Sequence, residues 1–158
     1  MNQDKYLYIL RGVPGSGKST WVKNNGYSDY VVSSDEIRIH LSGILTDPDG
    51  KRYIDQSKNN QVFDRFFKEI ESMMIRGLMV VADATHTNER DFAKYLPLCD
   101  KYGYKAVCID FSKTPIKTAL ERNKKREDYR VVPEHVIFKM ANNLKNSKVP
   151  DWVEVIDA

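Results

Sequence analysis

Cysteine, histidine and long apolar runs are all scarce in this chain. Its two cysteines, Cys99 and Cys108, stand in no metal or redox spacing, and its three histidines, His40, His86 and His135, lie far apart with no ligand pattern. That argues against a disulfide scaffold and against a zinc enzyme. No apolar run approaches the roughly 18 to 20 residues of a membrane helix, and the opening Met-Asn-Gln-Asp-Lys is too polar for a secretory signal. A soluble, cytoplasmic protein without membrane contact is therefore expected. Internal repeats, low-complexity tracts and interdomain linkers are missing too. One globular domain takes about 100 to 200 residues, so a chain of 158 is expected to form a single domain over residues 1–158, without a fused second enzyme.

What is present suffices for a core: 41% of residues are hydrophobic and 11% aromatic, too many for a disordered chain. The net charge of +3 hides an asymmetry. Residues 113–130 carry seven basic side chains (Lys113, Lys117, Arg122, Lys124, Lys125, Arg126 and Arg130) against three acidic ones (Glu121, Glu127 and Asp128). Such a run suits an enzyme that handles phosphates, and a solvated helix face looks the same by charge alone.

Four short, nearly continuous apolar runs, Tyr6 to Leu10, Tyr30 to Val32, Leu78 to Ala82 and Ala106 to Ile109, read as strands buried on both faces of a parallel sheet. Helical stretches alternate with them. Val62, Phe63, Phe66, Phe67, Ile70, Met73 and Met74 recur at spacings of three and four between residues 58 and 76, and Gly77 follows as a stop. A second helix is expected over residues 88–102 with Thr87 as its N-cap, a third through Ile116 to Leu120, and a fourth opened by Pro133. Asp47-Pro-Asp-Gly50 reads as a loop. The alternation predicts an α/β fold, a three-layer α/β/α sandwich with a mainly parallel sheet and a helical, arginine-bearing lid.

The run Gly12-Val-Pro14-Gly15-Ser16-Gly17-Lys18-Ser19 matches G-x-x-x-x-G-K-[ST], placed after an apolar strand and before a helix. The backbone of such a loop wraps phosphates, so Gly12, Pro14, Gly15, Ser16, Gly17, Lys18, Ser19 and Thr20 are expected at an ATP site. Lys18 reaches the β and γ oxygens and the Ser19 hydroxyl ligates Mg²⁺. The motif leaves the acceptor open.

Ser33 with Glu36 three residues later forms a capping box, which puts Asp35 in the first turn of a helix and Arg38 one turn on, on the same face. A carboxylate there can take the proton of an attacking hydroxyl; it also simply complements the helix dipole. Asp83, with Thr85 behind it, ends the third strand in the Walker B manner and is preferred over Asp110 as the second Mg²⁺ residue. His86 in that loop reads as a surface or capping residue. Arg122, Arg126 and Arg130 are spaced by four and share one face if their helix continues, which suits a mobile lid closing over ATP.

Taken together, the Walker A run, Ser34-Asp35-x-x-Arg38, Val81-Ala-Asp83-Ala-Thr85 and Glu121-Arg122-Asn-Lys-x-Arg126 with Arg130-Val-Val-Pro133 resemble the polynucleotide 5′-hydroxyl kinases, the kinase module of bacterial and phage nucleic-acid end-healing enzymes. The likeness spans nearly the whole chain. It implies that Asp35 is the general base for the 5′-hydroxyl, that Arg38 binds the 3′-phosphate of the terminal nucleotide, and that Arg122 and Arg126 contact ATP phosphates. RNA or DNA ends would be the acceptor. Family members often carry phosphatase or ligase modules; those would here be separate partners. The loop from about Ser42 to Tyr53, which could help form the acceptor pocket, carries no assignable motif. Two other readings stay open: a small-metabolite or nucleoside kinase sharing Asp35 and the lid, and a non-catalytic nucleotide-binding regulator.

Overall fold

A computed structural model describes residues 5–158. Five strands form one parallel sheet: β1 (Tyr6–Arg11), β2 (Val31–Ser33), β5 (Val80–Asp83), β6 (Lys105–Asp110) and β7 (Glu154–Asp157). They lie in the order β2-β5-β1-β6-β7. The alternation of side chains along each strand divides the core in two. Leu7, Ile9, Val80, Ala82, Ala106 and Cys108 face one way, where α3 (Asn59–Ile75) brings Val62, Phe66, Ile70 and Met74, and α4 (Tyr95–Tyr102) brings Tyr95 and Cys99. Leu10, Val81, Val107 and Ile109 face the other way against Trp21 and Val22 of α1 (Lys18–Asn24). A third cluster packs α5 (Ile116–Lys124) and α6 (Glu134–Asn146) around Val13, through Ala119, Ile137 and Leu144. The result is a three-layer α/β/α sandwich.

The four expected strands all form, and their carboxyl ends align: Leu10 is in register with Asp83, and Ser33 with Asp83. From β1 the chain passes first to the β5 and β2 side and later to β6 and β7, so the crevice above the carboxyl end of β1 is the place where a parallel sheet of this kind accepts a ligand.

The structure corrects several sequence expectations. Residues 44–54 are not a featureless loop: β3 (Ile44–Thr46) pairs antiparallel with β4 (Arg52–Ile54) in a separate hairpin. Its turn is fixed by Asp47, whose Oδ1 accepts from the N–H groups of Asp49 (2.9 Å) and Lys51 (2.8 Å). The helix expected over 88–102 is split into a 3₁₀ turn, Glu89–Phe92, and α4. Asn88, not Thr87, caps that turn, through a reciprocal bond pair with Asp91. Pro97 supplies the reason. It has no N–H to give and is tolerated only in a first turn, so the α-helix restarts at Tyr95. The arginine-bearing helix stops at Lys124, with only a 3₁₀ turn over Asp128–Arg130 beyond it. Arg122, Arg126 and Arg130 therefore share no helix face. No described helix is long and apolar enough to cross a membrane.

Candidate active site

The carboxyl ends of β1, β2 and β5 open into a cleft of about 1300 Å³. The loop Gly12 to Gly17 forms its floor. Gly12 cannot be replaced without a clash, since a Cβ would stand 2.6 Å from Ser16 Oγ and 2.8 Å from Phe111 Cβ. Gly15, at φ +81°, lies against the backbone carbonyl of Ala119, which seats the loop on α5. The Gly12 N–H donates to the Thr85 carbonyl at 3.0 Å, tying the loop to the segment after β5. Pro14, Gly15, Gly17, Lys18, Ser19 and Thr20 line the cleft. Gly12 and Ser16 do not; the Ser16 side chain is buried beneath the loop, and the Ser16 carbonyl accepts from Thr114 Oγ1 at 2.9 Å.

Lys18 folds back on the loop, its Nζ donating to the Gly12 carbonyl at 2.6 Å. Burial pushes its ammonium below the ordinary lysine value, while the carboxylates of Asp83 and Asp35 pull it back up. Asp83 is held above the ordinary carboxylate value by burial, and Lys18 opposes that shift. Asp83, not Asp110, lines the cleft. Asp110 is instead engaged by Arg11 at 3.2 Å. A cation beside Asp83 and the exposed Ser19 hydroxyl would relieve that buried carboxyl. The described residues hold no cluster of three or more acidic, histidine or cysteine ligands, so a metal here takes most of its ligands from elsewhere.

On the opposite wall α2 (Ser34–Ser42) starts at Ser33, whose Oγ accepts from the Glu36 N–H at 3.3 Å. Only half of the expected capping box forms, because the Glu36 carboxylate turns outward to Arg130 at 2.6 Å. Asp35 and Arg38 share one face of α2 with Arg38 Nε 3.6 Å from Asp35 Oδ1. Arg38 is only 7% exposed. It donates through NH1 to Asn59 Oδ1 at 2.6 Å and lies 5.8 Å from the centre of the Phe63 ring. Burial lowers its proton affinity, with Asp35 and Asp55 opposing, and an arginine still stays charged. Its NH2 group donates to no atom among the described residues, and Arg38 lines the cleft.

Above the cleft lies the segment after α5. Arg122 is exposed, with NH1 3.5 Å from the Gly15 carbonyl. Arg126 is half-buried, its proton affinity lowered by burial and raised again by Asp35 and Asp83, which line the same cleft. Asn123, 1% exposed, pins the base of the segment by donating to the Val132 carbonyl at 2.7 Å and accepting from the Val132 N–H at 3.0 Å. The cleft thus gathers Lys18, Ser19, Asp35, Arg38, Asp83, Thr85, Arg122 and Arg126.

Sequence reasoning missed the hairpin, which puts Lys51, Arg52, Tyr53 and Ile54 on the cleft wall. A signal was there, since Ile-Leu-Thr and Arg-Tyr-Ile flank a Pro-Asp-Gly turn. His86 is also neither a surface nor a capping residue. Buried at φ 50°, it donates from Nδ1 toward the carbonyls of Leu10 (2.5 Å) and Ala84 (3.1 Å), and Nε2 accepts from the Tyr95 hydroxyl at 2.7 Å.

Among curated proteins, the chain is 28% identical over 161 residues to a protein of Autographa californica nuclear polyhedrosis virus provisionally named as a bifunctional polynucleotide kinase/RNA ligase. The match covers 97% of this chain and 23% of the viral protein. In fold, the chain is similar to one in the Pnkp1/Rnl/Hen1 RNA repair complex, with a TM-score of 0.71 at 21% identity over 91% of this chain and 45% of that one. It is also similar to a sugar kinase from Janibacter sp. HTCC2649, with a TM-score of 0.60 at 15% identity over 97% of this chain and 85% of that one. The chain therefore spans less than half the length of the two RNA-related proteins. A family model described as AAA domain matches residues 7–147, which takes in the P-loop, the walls of the cleft and the arginine-bearing segment, and the chain belongs to that family.

Proposed function

We propose that the protein is an ATP- and Mg²⁺-dependent kinase that transfers the γ-phosphate to the 5′-hydroxyl end of RNA or DNA. The observation that carries this reading is the Asp35 and Arg38 pair: a carboxylate on the cleft wall with a buried guanidinium 3.6 Å away that keeps donors to spare. A hydroxyl at Asp35 then has a phosphate-binding group one helical turn off, useful for an internucleotide phosphate and idle for an unphosphorylated metabolite. The similarity to the viral polynucleotide kinase/RNA ligase supports the same acceptor. The fold of a sugar kinase is compatible with the metabolite reading, and the acceptor test below separates the two.

In this reading Lys18 and the P-loop backbone hold the β and γ phosphates, with Pro14, Gly15, Gly17, Ser19 and Thr20 around them. Asp35 accepts the proton of the attacking hydroxyl as its oxygen bonds to the γ phosphorus and the bond to the β-phosphate oxygen breaks. Arg126, with Arg122 behind it, neutralises charge on the transferring group. Mg²⁺ would be held by Ser19 and by Asp83, where it supplies charge neutralisation to the phosphate oxygens. Arg38 reads the acceptor phosphate and Thr85 borders the acceptor.

The test supplies labelled ATP with nucleoside 3′-monophosphates, 5′-hydroxyl oligonucleotides, free nucleosides and sugars. A charge-assisted contact contributes about 1.5 to 3 kcal/mol, so 3′-phosphorylated acceptors should exceed free nucleosides by about ten- to a hundred-fold in kcat/KM. Arg38→Ala should erase most of that preference while sparing the weak nucleoside activity. Equal turnover of a free nucleoside or sugar by the wild type would replace this reading with the metabolite kinase.

A further inference from the structure

The arginine-bearing segment has little to hold it in place by itself. Between the end of α5 at Lys124 and the start of α6 at Glu134 its only regular structure is the 3₁₀ turn Asp128–Arg130. Arg126 sits in this stretch, and its side chain makes no hydrogen bond or ion pair among the described residues, though it lines the same cleft as Asp35 and Asp83. Its placement is therefore set by whatever fixes the chain on either side. On one side that is Asn123, bonded both ways to Val132. On the other it is two ion pairs that reach across the cleft to the acceptor wall. Arg52 of β4 engages Asp128 through both Nε (3.0 Å) and NH2 (2.6 Å), and Glu36 of α2 engages Arg130 at 2.6 Å. Between these pairs lies Tyr129, with the guanidinium of Arg52 and that of Arg130 each 5.2 Å from its ring centre.

Both partners on the acceptor wall are firmly based. The hairpin is closed by the Asp47 turn, Ile54 is buried, and Ser42 at the end of α2 donates to Asp55 just past β4. Glu36 is adjacent to Asp35 in the first turn of α2. Two linked elements, α2 and the hairpin, thus carry Asp35, Arg38 and the grip on the segment that bears Arg126.

We propose that Arg52 and Glu36, gripping Asp128 and Arg130 on either side of Tyr129, are positioning residues that set Arg126 over the cleft for phosphoryl transfer. The inference rests on the kinase reading and adds to it a coupling between the acceptor wall and the donor side. A bidentate pair gives geometric specificity that a lysine at the same position does not. Each ion pair is exposed and weak alone; their effect comes from fixing a short segment at both ends, since Arg126 needs to be misplaced by only a fraction of its length to lose its contact with developing charge.

The test compares the full chain with Arg52→Asp, which opposes two carboxylates, and with the exchange Arg52→Asp/Asp128→Arg, which restores the pair with its sense reversed. Two readouts are taken: cleavage after Tyr129 by chymotrypsin, followed by mass spectrometry, and steady-state kinetics with ATP and a 3′-phosphorylated nucleoside. Arg52→Asp should speed that cleavage and lower kcat, each about five- to tenfold, as expected for losing an exposed bidentate pair with its cation–π contact. KM for ATP should change less than about twofold, because Lys18 and the P-loop are untouched. The exchange should restore both readouts to within about threefold of wild type. Unchanged cleavage in Arg52→Asp would show that there is no grip, and faster cleavage with unaltered kcat would show that the grip does not position Arg126. Wild-type protein that phosphorylates none of the acceptors would refute the kinase reading instead, and the cleavage result would still decide whether the grip exists.

Discussion

In the proposed reaction, the side chains around the cleft divide into those that would meet the reacting groups and those that would hold them. Asp35 would belong to the first group by position, on the cleft side of the first turn of α2 with Arg38 3.6 Å away. Asp35→Asn keeps the shape and removes the proton acceptor, so turnover should fall about 10²- to 10⁴-fold. ATP-analogue titration and thermal melting should match wild type. A loss of melting temperature with unchanged turnover per folded molecule would make Asp35 a helix cap only. Asp35, Arg38, Lys18 and Asp83 were legible in the sequence because each sits at a fixed offset from a strand end, and strand ends announce themselves as apolar runs closing on polar residues. Arg52, Asp128, Glu36 and Arg130 were not. Their pairing spans 76 and 94 positions, and nothing local to either partner encodes it.

The elements follow their local physics where that physics is strong. Helix α3 forms over Asn59–Ile75, within a residue of the expected span, because its apolar face repeats at three and four and is buried as Val62, Phe66, Ile70 and Met74. Where two signals compete the sequence misleads. The spacing of the three arginines puts them on one face only if the helix continues; the structure ends it at Lys124 and spends the following residues on contacts to other elements. The P-loop is the element whose backbone is most constrained. Gly15 combines φ +81° with an ideal Cβ position that would run into the Ala119 carbonyl, whereas Gly26, at φ +71°, has nothing within 4 Å. Gly26→Ala should then cost only the left-handed conformation, about 1 to 2 kcal/mol. Gly15→Ala should cost more and also weaken ATP binding, since the loop must shift off α5. Urea melts and nucleotide titration of both variants check this, and equal effects would remove the Ala119 contact from the account.

Across the molecule, buried polar links join pieces that the sheet alone does not. Arg11, at the end of β1, bonds Asp110 of β6 and, through NH2, the Leu144 carbonyl and Ser147 Oγ past α6, while Ser147 in turn donates to the Thr87 carbonyl. His86 joins β1, the segment after β5 and α4 in the same way. Burial lowers its pKa from 6.5 to about 4, so between those values the unfolded chain takes up a proton that the folded chain refuses. Stability should therefore be fully present above pH 6.5 and fall as the pH drops toward 4, by about 3 kcal/mol in all from this group. Urea unfolding at pH 7.5 and 4.5, with His86→Gln alongside, measures it; the same pH dependence in both proteins would assign the loss elsewhere. The sequence by itself determined the alternation of strands and helices, the P-loop and the acidic strand ends, because apolar periodicity and glycine spacing act over a few residues. Only the tertiary structure decided that Arg11 takes up Asp110, that His86 is buried, and that the hairpin reaches the arginine-bearing segment, because burial and charge pairing depend on neighbours that chain folding brings from far along the sequence.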